Sequence, residues 1–157
     1  MTTEPLATEA LATGSPTTEP LTTDISPGDT THRDTYEAGL AVRKAVLGAE
    51  HVERSLAQVS EFARPIQELV TEYCWGAVWT RPGLERRTRS LVNLAMLTAL
   101  GRNHELGVHV KGALTNGVTV EEIQEVLLQT AVYVGVPAAL ESFRVAERVI
   151  EEVKGDV

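Results

Sequence analysis

The 157-residue chain is 43% hydrophobic with a formal net charge of −8. This length fits one domain that can bury a real core without staples, and no run approaches the roughly 20 apolar residues of a membrane span. The single cysteine, Cys74, excludes an intramolecular disulfide, a CxxC redox pair and a thiolate zinc cluster, and it suits a reducing cytoplasm.

The charge is unevenly spread. Glu4, Glu9, Glu19, Asp24 and Asp29 give residues 1–31 a charge of −5 with no base, so the rest of the chain carries −3. That part is only mildly acidic and has no basic stripe to track phosphates, which argues against nucleic acid as a partner. The first 31 residues are rich in Thr, Pro, Glu and Ala, repeat TTEPL at Thr2–Leu6 and Thr17–Leu21, and contain no aromatic residue. We expect a disordered tail here and a helical domain over residues 32–157. With no Lys or Arg before Arg33 and no apolar h-region, the N-terminus does not resemble a secretory signal.

Order is expected from about Asp34, where Asp34-Thr-Tyr-Glu37 resembles a capping box, with the helix running to Leu47 and stopping at Gly48. A shorter helix follows from Glu50 to about Val59. A third starts near Ala63–Pro65, passes Ile66, Leu69, Val70 and Tyr73, and closes on Trp75, Val78 and Trp79 before the Arg81-Pro-Gly83 breaker. Two central helices come next, about Leu84–Leu100 and His104–Asn116, with Gly101 as the turn between them. Asn103 is placed as N-cap of the second and Gly117 as its C′ residue. Thr119-Val-Glu-Glu122 is a second capping box, and Pro137 follows Gly135 to open the last helix. No segment alternates with period two. The expectation is an all-α bundle of about six or seven helices with short loops.

The chemistry-bearing residues gather on the central pair. Glu105 and His109 lie four apart on one helix face, while Arg86, Arg89 and Asn93 share a stripe on the preceding helix. A carboxylate beside an imidazole, facing arginines, can be an acid/base site or simply a charged helix surface; the pattern leaves both open. His104, Glu105 and His109 also suggest a metal motif, but the histidines are five apart instead of four and point to different faces. Trp75 and Trp79, four apart, form one aromatic face suited to a core, an interface or a pocket wall. Tyr133 is assigned to packing ahead of a proton-donor role.

Four segments, in register over nearly everything after the tail, carry a family resemblance: YEAGLAVRKAVLG at Tyr36–Gly48, TEYCWGAVWTRPGLERRTRSL at Thr71–Leu91, ALGRNHELGVHVKGALTNGVTVEEI at Ala99–Ile123 and YVGVPAALESFRVA at Tyr133–Ala146. Together they resemble the carboxymuconolactone decarboxylase family, within the alkylhydroperoxidase D-like superfamily. In that superfamily a helical motif holds two cysteines followed by a histidine. Aligned on His109, the cysteine positions fall on Arg102 and Glu105, and the superfamily's glutamate on the preceding helix falls at about Ser90. Both thiols are replaced, so the resemblance does not extend to disulfide or peroxidase chemistry.

The resemblance implies a compact helical protomer in a homotrimer or homohexamer, with sites near subunit contacts. It also implies cofactor-independent decarboxylation of 4-carboxymuconolactone to 3-oxoadipate enol-lactone, in the protocatechuate branch of the β-ketoadipate pathway. The substrate is its own electron sink, because the electrons left by CO2 delocalise through the ring double bond onto the lactone carbonyl. The protein then has to hold a dianion, stabilise the developing oxyanion and return a proton to carbon. On this reading His109 supplies the proton, Glu105 orients it and raises its pKa, and Arg89 with Arg86 meets the carboxylates or the oxyanion. Ser90, Trp75 and Trp79 complete the expected substrate contacts. Two alternatives remain: a non-catalytic helical oligomer binding small acidic metabolites, and a related lactone lyase or isomerase.

Overall fold

A computed structural model describes residues 27–155, and among these every regular element is helical. In chain order the helices are α1 (Pro27–Leu47), α2 (Ala49–Ala57), α3 (Arg64–Leu69), α4 (Arg86–Ala99), α5 (Asn103–Thr115), α6 (Val120–Tyr133) and α7 (Val136–Gly155). Helix α3 runs directly into a π-helical segment, Val70–Trp79. The all-α expectation therefore holds among the described residues. Most of the tail lies outside them. No helix here is long and apolar enough to cross a membrane.

Helix ends fall where local chemistry demands. Helix α4 closes in a Schellman motif, with Arg102 N–H donating to Leu97 C=O at 2.9 Å and Gly101 N–H to Thr98 C=O at 3.1 Å. The motif needs a left-handed residue at C′, and Gly101 provides it with φ of +64°. Helix α5 ends the same way, through Val118 N–H to Ala113 C=O at 3.0 Å, with Gly117 at φ +80°. The second capping box is fully formed: Thr119 accepts from Glu122 N–H at 3.2 Å, and Glu122 accepts from Thr119 N–H at 2.9 Å. Two other expected caps are not. Asp34 lies inside α1, which begins at Pro27, and Asn103 is already in the first turn of α5, where Arg102 takes the cap position with no side-chain bond.

The core has two parts. Leu94, Leu106, Val110, Ile123, Leu127, Val145 and Ala146 join α4, α5, α6 and α7, while Val42, Val46, Val52, Trp75 and Trp79 join α1, α2 and the π-helical segment. The second part depends on two glycines. Gly39 of α1 and Gly76 of the π-helical segment are both buried, and a Cβ on Gly39 would sit 2.5 Å from the Gly76 nitrogen and closer still to the Thr71 carbonyl oxygen. Only bare backbone lets these elements approach so closely. The crossing is pinned by Arg43, a buried arginine whose Nη1 donates to Thr71 Oγ1 and Nη2 to Gln67 Oε1, each at 3.0 Å. Burial pushes the Arg43 pKa down, against a smaller raising influence from Tyr36. Nothing in the sequence pattern marks the π-helical backbone or this buried arginine.

Candidate active site

The crossing of α1 over the π-helical segment presents Trp75 and Trp79 to α5. The two indoles are only 5% and 8% exposed, with centroids 4.8 Å apart. His109 lies against both. Its ring is nearly parallel to Trp75, at 7° with a centroid separation of 6.1 Å, and 6.3 Å from Trp79. From α4, the Asn93 amide nitrogen approaches His109 Nδ1 at 3.4 Å. Both tryptophans belong to the buried core, which bears out the core reading, and His109 is set against that core.

This enclosure sets the charge of the imidazole. Burial is the largest influence on His109 and holds its pKa below the ordinary value; the nearby Glu105 raises it by less. Glu105 thus raises the His109 pKa as expected, but burial outweighs it and the net shift is downward. Glu105 is exposed, and water screens its charge while the indoles strip water from the ring. Among the described residues no hydrogen bond or ion pair joins the two side chains. The resting imidazole is neutral near pH 7, and a ring with its proton on Nε2 can accept from the Asn93 amide at Nδ1.

The arginines separate into different roles. Arg89 is half-buried and stands one turn before Asn93 on the same face of α4. Its Nη2 donates to the Arg81 carbonyl oxygen at 3.1 Å, in the loop that follows Trp79, while its buried Nε has no partner among the described residues. Arg86 is exposed one turn further out. Arg87, adjacent in sequence, faces away: it pairs with Glu122 and donates to the Gly117 carbonyl oxygen at 3.2 Å, tying α4 to the α5–α6 turn.

Ser90 is also displaced from its expected place. It is completely buried and accepts from Asn116 Nδ2 at 2.9 Å, joining α4 to the end of α5, so it has no surface open to a ligand. Tyr133 is 81% exposed. His104 emerges on a different face of α5 from His109, lining a cleft with His51. The residue that sequence reasoning left without a role is Asn93. Its place on the arginine stripe was the available signal, but its partner lies 16 residues on, across a helix pair.

An all-helical fold thus sets His109 against two indoles, with Asn93 and Arg89 on the neighbouring helix. Residues 64–148 match the model of the carboxymuconolactone decarboxylase family. The chain is 46% identical over 125 residues to nitrosuccinic acid decarboxylase of Metarhizium robertsii, covering 80% of this chain and 87% of that protein. It is 44% identical over 118 residues to 4-carboxymuconolactone decarboxylase of Acinetobacter baylyi, covering 75% and 88% respectively. The chain belongs to the carboxymuconolactone decarboxylase family, and with it to the carboxy-lyases.

Proposed function

We propose that this protein decarboxylates 4-carboxymuconolactone to 3-oxoadipate enol-lactone without a metal or organic cofactor, as a cytoplasmic step of the protocatechuate branch of the β-ketoadipate pathway. The observation that carries the reading is the neutral His109 held against Trp75 and Trp79, with Asn93 at Nδ1 and, on the neighbouring face, an Arg89 Nε that has no partner among the described residues. In the reaction the bond to CO2 breaks, and its electron pair moves through the ring double bond onto the lactone carbonyl oxygen. Arg89, with Arg86 further out, meets the substrate carboxylates, and the His109 Nε2–H faces the developing oxyanion. A bound carboxylate beside the ring counters the effect of burial and raises the imidazole pKa, so that His109 carries the proton returned to carbon. Glu105 biases the ring in the same direction from outside. The indoles keep water from the enolate.

A second substrate has a specific observation in its favour, the 46% identity to a nitrosuccinic acid decarboxylase. A nitro group beside the departing carboxylate would take up the electrons as a lactone carbonyl does, so the same residues serve. The homotrimer or homohexamer implied by family resemblance is also part of the proposal. It is supported by the exposed apolar stripe Phe62, Ile66, Leu69 and Tyr73, and by Val132, Tyr133, Val136 and Leu140, all more than half exposed.

The test is ultraviolet-monitored turnover of freshly generated 4-carboxymuconolactone and of nitrosuccinate by chelator-treated protein, with His109→Ala alongside. Metal-free turnover of the lactone that collapses in the variant is the expected result. Turnover of nitrosuccinate alone would move the assignment to the second substrate. Lactone turnover unchanged in His109→Ala would remove His109 as the acid, and turnover of neither compound would overturn the reading.

A further inference from the structure

Helix α5 has a second chemically loaded face. His104, Gly107, Val108 and Lys111 recur at three- and four-residue spacing and line a cleft of about 450 Å³ against α2 and α7, away from His109. Its floor is apolar, built from Leu47, Val145 and Val149. Its rim holds four basic groups from three helices: His51 of α2, His104 and Lys111 of α5, and Arg148 of α7. Glu152 is the lone acid of the lining.

Four other bases, Lys44, Arg54, Arg87 and Arg144, each have a carboxylate partner. Lys111, Arg148, His51 and His104 enter no ion pair among the described residues, so the charge gathered at this cleft is left uncompensated. A volume of this size falls in the range of small-molecule sites, and an apolar floor under a cationic rim is complementary to an apolar body bearing carboxylates.

We propose that the cleft between α2, α5 and α7 is a binding site for a small carboxylate with an apolar body, separate from the His109 site. The proposal does not rest on the decarboxylase reading. The field inside the cleft supports it: the His51 pKa is held down by burial first, then by Arg43, Arg54, Lys111 and His104. The groups facing His51 are thus Arg43 from α1, Arg54 from its own helix, and His104 and Lys111 from α5, with Arg148 and Glu152 across the cleft from α7. An anion entering this field opposes the surrounding cations and favours protonation of His51, so binding takes up protons and tightens as pH falls.

The experiment is isothermal titration calorimetry of the full chain with isophthalate, at about pH 8 and pH 6, with inorganic phosphate as a probe lacking the apolar body. The variants are Lys111→Ala/Arg148→Ala and His109→Ala. Lys111 and Arg148 are exposed, so their replacement leaves the fold intact. Saturable isophthalate binding is expected to be tighter at pH 6, about tenfold or more weaker in the double variant, and unchanged in His109→Ala. No saturable binding by the wild type would overturn the proposal, as would binding that survives the double variant. Binding abolished by His109→Ala would place isophthalate in the other site and overturn it too. Phosphate binding as tightly as isophthalate would overturn the role of the apolar floor.

Discussion

Adding one methyl group at Gly39 tests whether the α1 crossing governs the site. In Gly39→Ala the new Cβ would meet three backbone atoms of the π-helical segment: Gly76 N at 2.5 Å, Gly76 Cα at 2.8 Å, and the Thr71 carbonyl oxygen closer still. Carbon contacts settle near 3.5–4.0 Å, so the two elements must part by about 1 Å, and backbone cannot rotate aside as a side chain can. Overpacking of this kind costs about 1–3 kcal/mol and occasionally more. The parting also loosens Arg43 from Thr71 and Gln67, two further bonds worth roughly 1 kcal/mol each. Against these stands a gain of about 1 kcal/mol from replacing a helical glycine. The net expectation is destabilisation of about 2–4 kcal/mol.

Gly107→Ala is the control. Its Cβ would stand 3.6 Å from Val145 Cγ1 and Val149 Cγ2, which is ordinary contact, so only the gain of up to about 1 kcal/mol remains. Urea denaturation at fixed protomer concentration reads both, and the midpoints should move in opposite directions, down for Gly39→Ala by about 1 M or more. A Gly39→Ala midpoint equal to or above wild type would refute the reasoning, because the crossing would then be slack.

Other outcomes follow from the site and the caps. Because the folded pKa of His109 lies below the ordinary value of about 6.5, the unfolded chain protonates first as pH falls; the stability held by the neutral ring is present above that value and lost below it. His51 shifts in the same direction, so the isolating measurement is the difference between wild type and His109→Gln. The variant should lose less stability between about pH 7 and pH 5, and a parallel loss would contradict the burial argument. Asn93→Ala should lower turnover by about tenfold with the fold retained, and imidazole nitrogen chemical shifts should show loss of the single Nε2–H tautomer. Arg87→Ala and Thr119→Ala should each cost about 1 kcal/mol in thermal or urea unfolding. Both act through Glu122, so the double variant should cost less than the two singles combined.

The features that were legible in the sequence are those decided within a few residues. The Thr119–Glu122 box and the glycine stops at Gly101 and Gly117 need only their own turns, and they stand as expected. Asp34-Thr-Tyr-Glu37 misled because the same residues fit the interior of a longer helix, which begins at Pro27. Asn103 misled because the Schellman turn at Gly101 puts Arg102 directly at the cap. The π-helical segment was hidden for a different reason. Its setting includes a crossing between Gly39 and Gly76, 37 residues apart, and no periodicity in either segment encodes that. The same holds in the site: Arg86, Arg89 and Asn93 were visible as one stripe, but the burial of Ser90 and the Asn93 contact with His109 exist only once α4 and α5 are docked.

The burial of His109 bears directly on how a carboxy-lyase of this kind can work. Had a buried carboxylate stood against the ring, the imidazole would rest protonated, with its charge already answered by the protein. Instead Glu105 is exposed, and the strongest influence on the ring is exclusion of water by Trp75 and Trp79. A neutral ring in a dry setting responds most to whichever charge enters beside it. On the proposed reading that charge is the substrate's own carboxylate, so binding itself makes the acid that the product carbon needs. This couples proton supply to occupancy, and it makes the glycine crossing beneath the tryptophans part of the chemistry: widening it admits water, restores the ordinary imidazole pKa and uncouples the two.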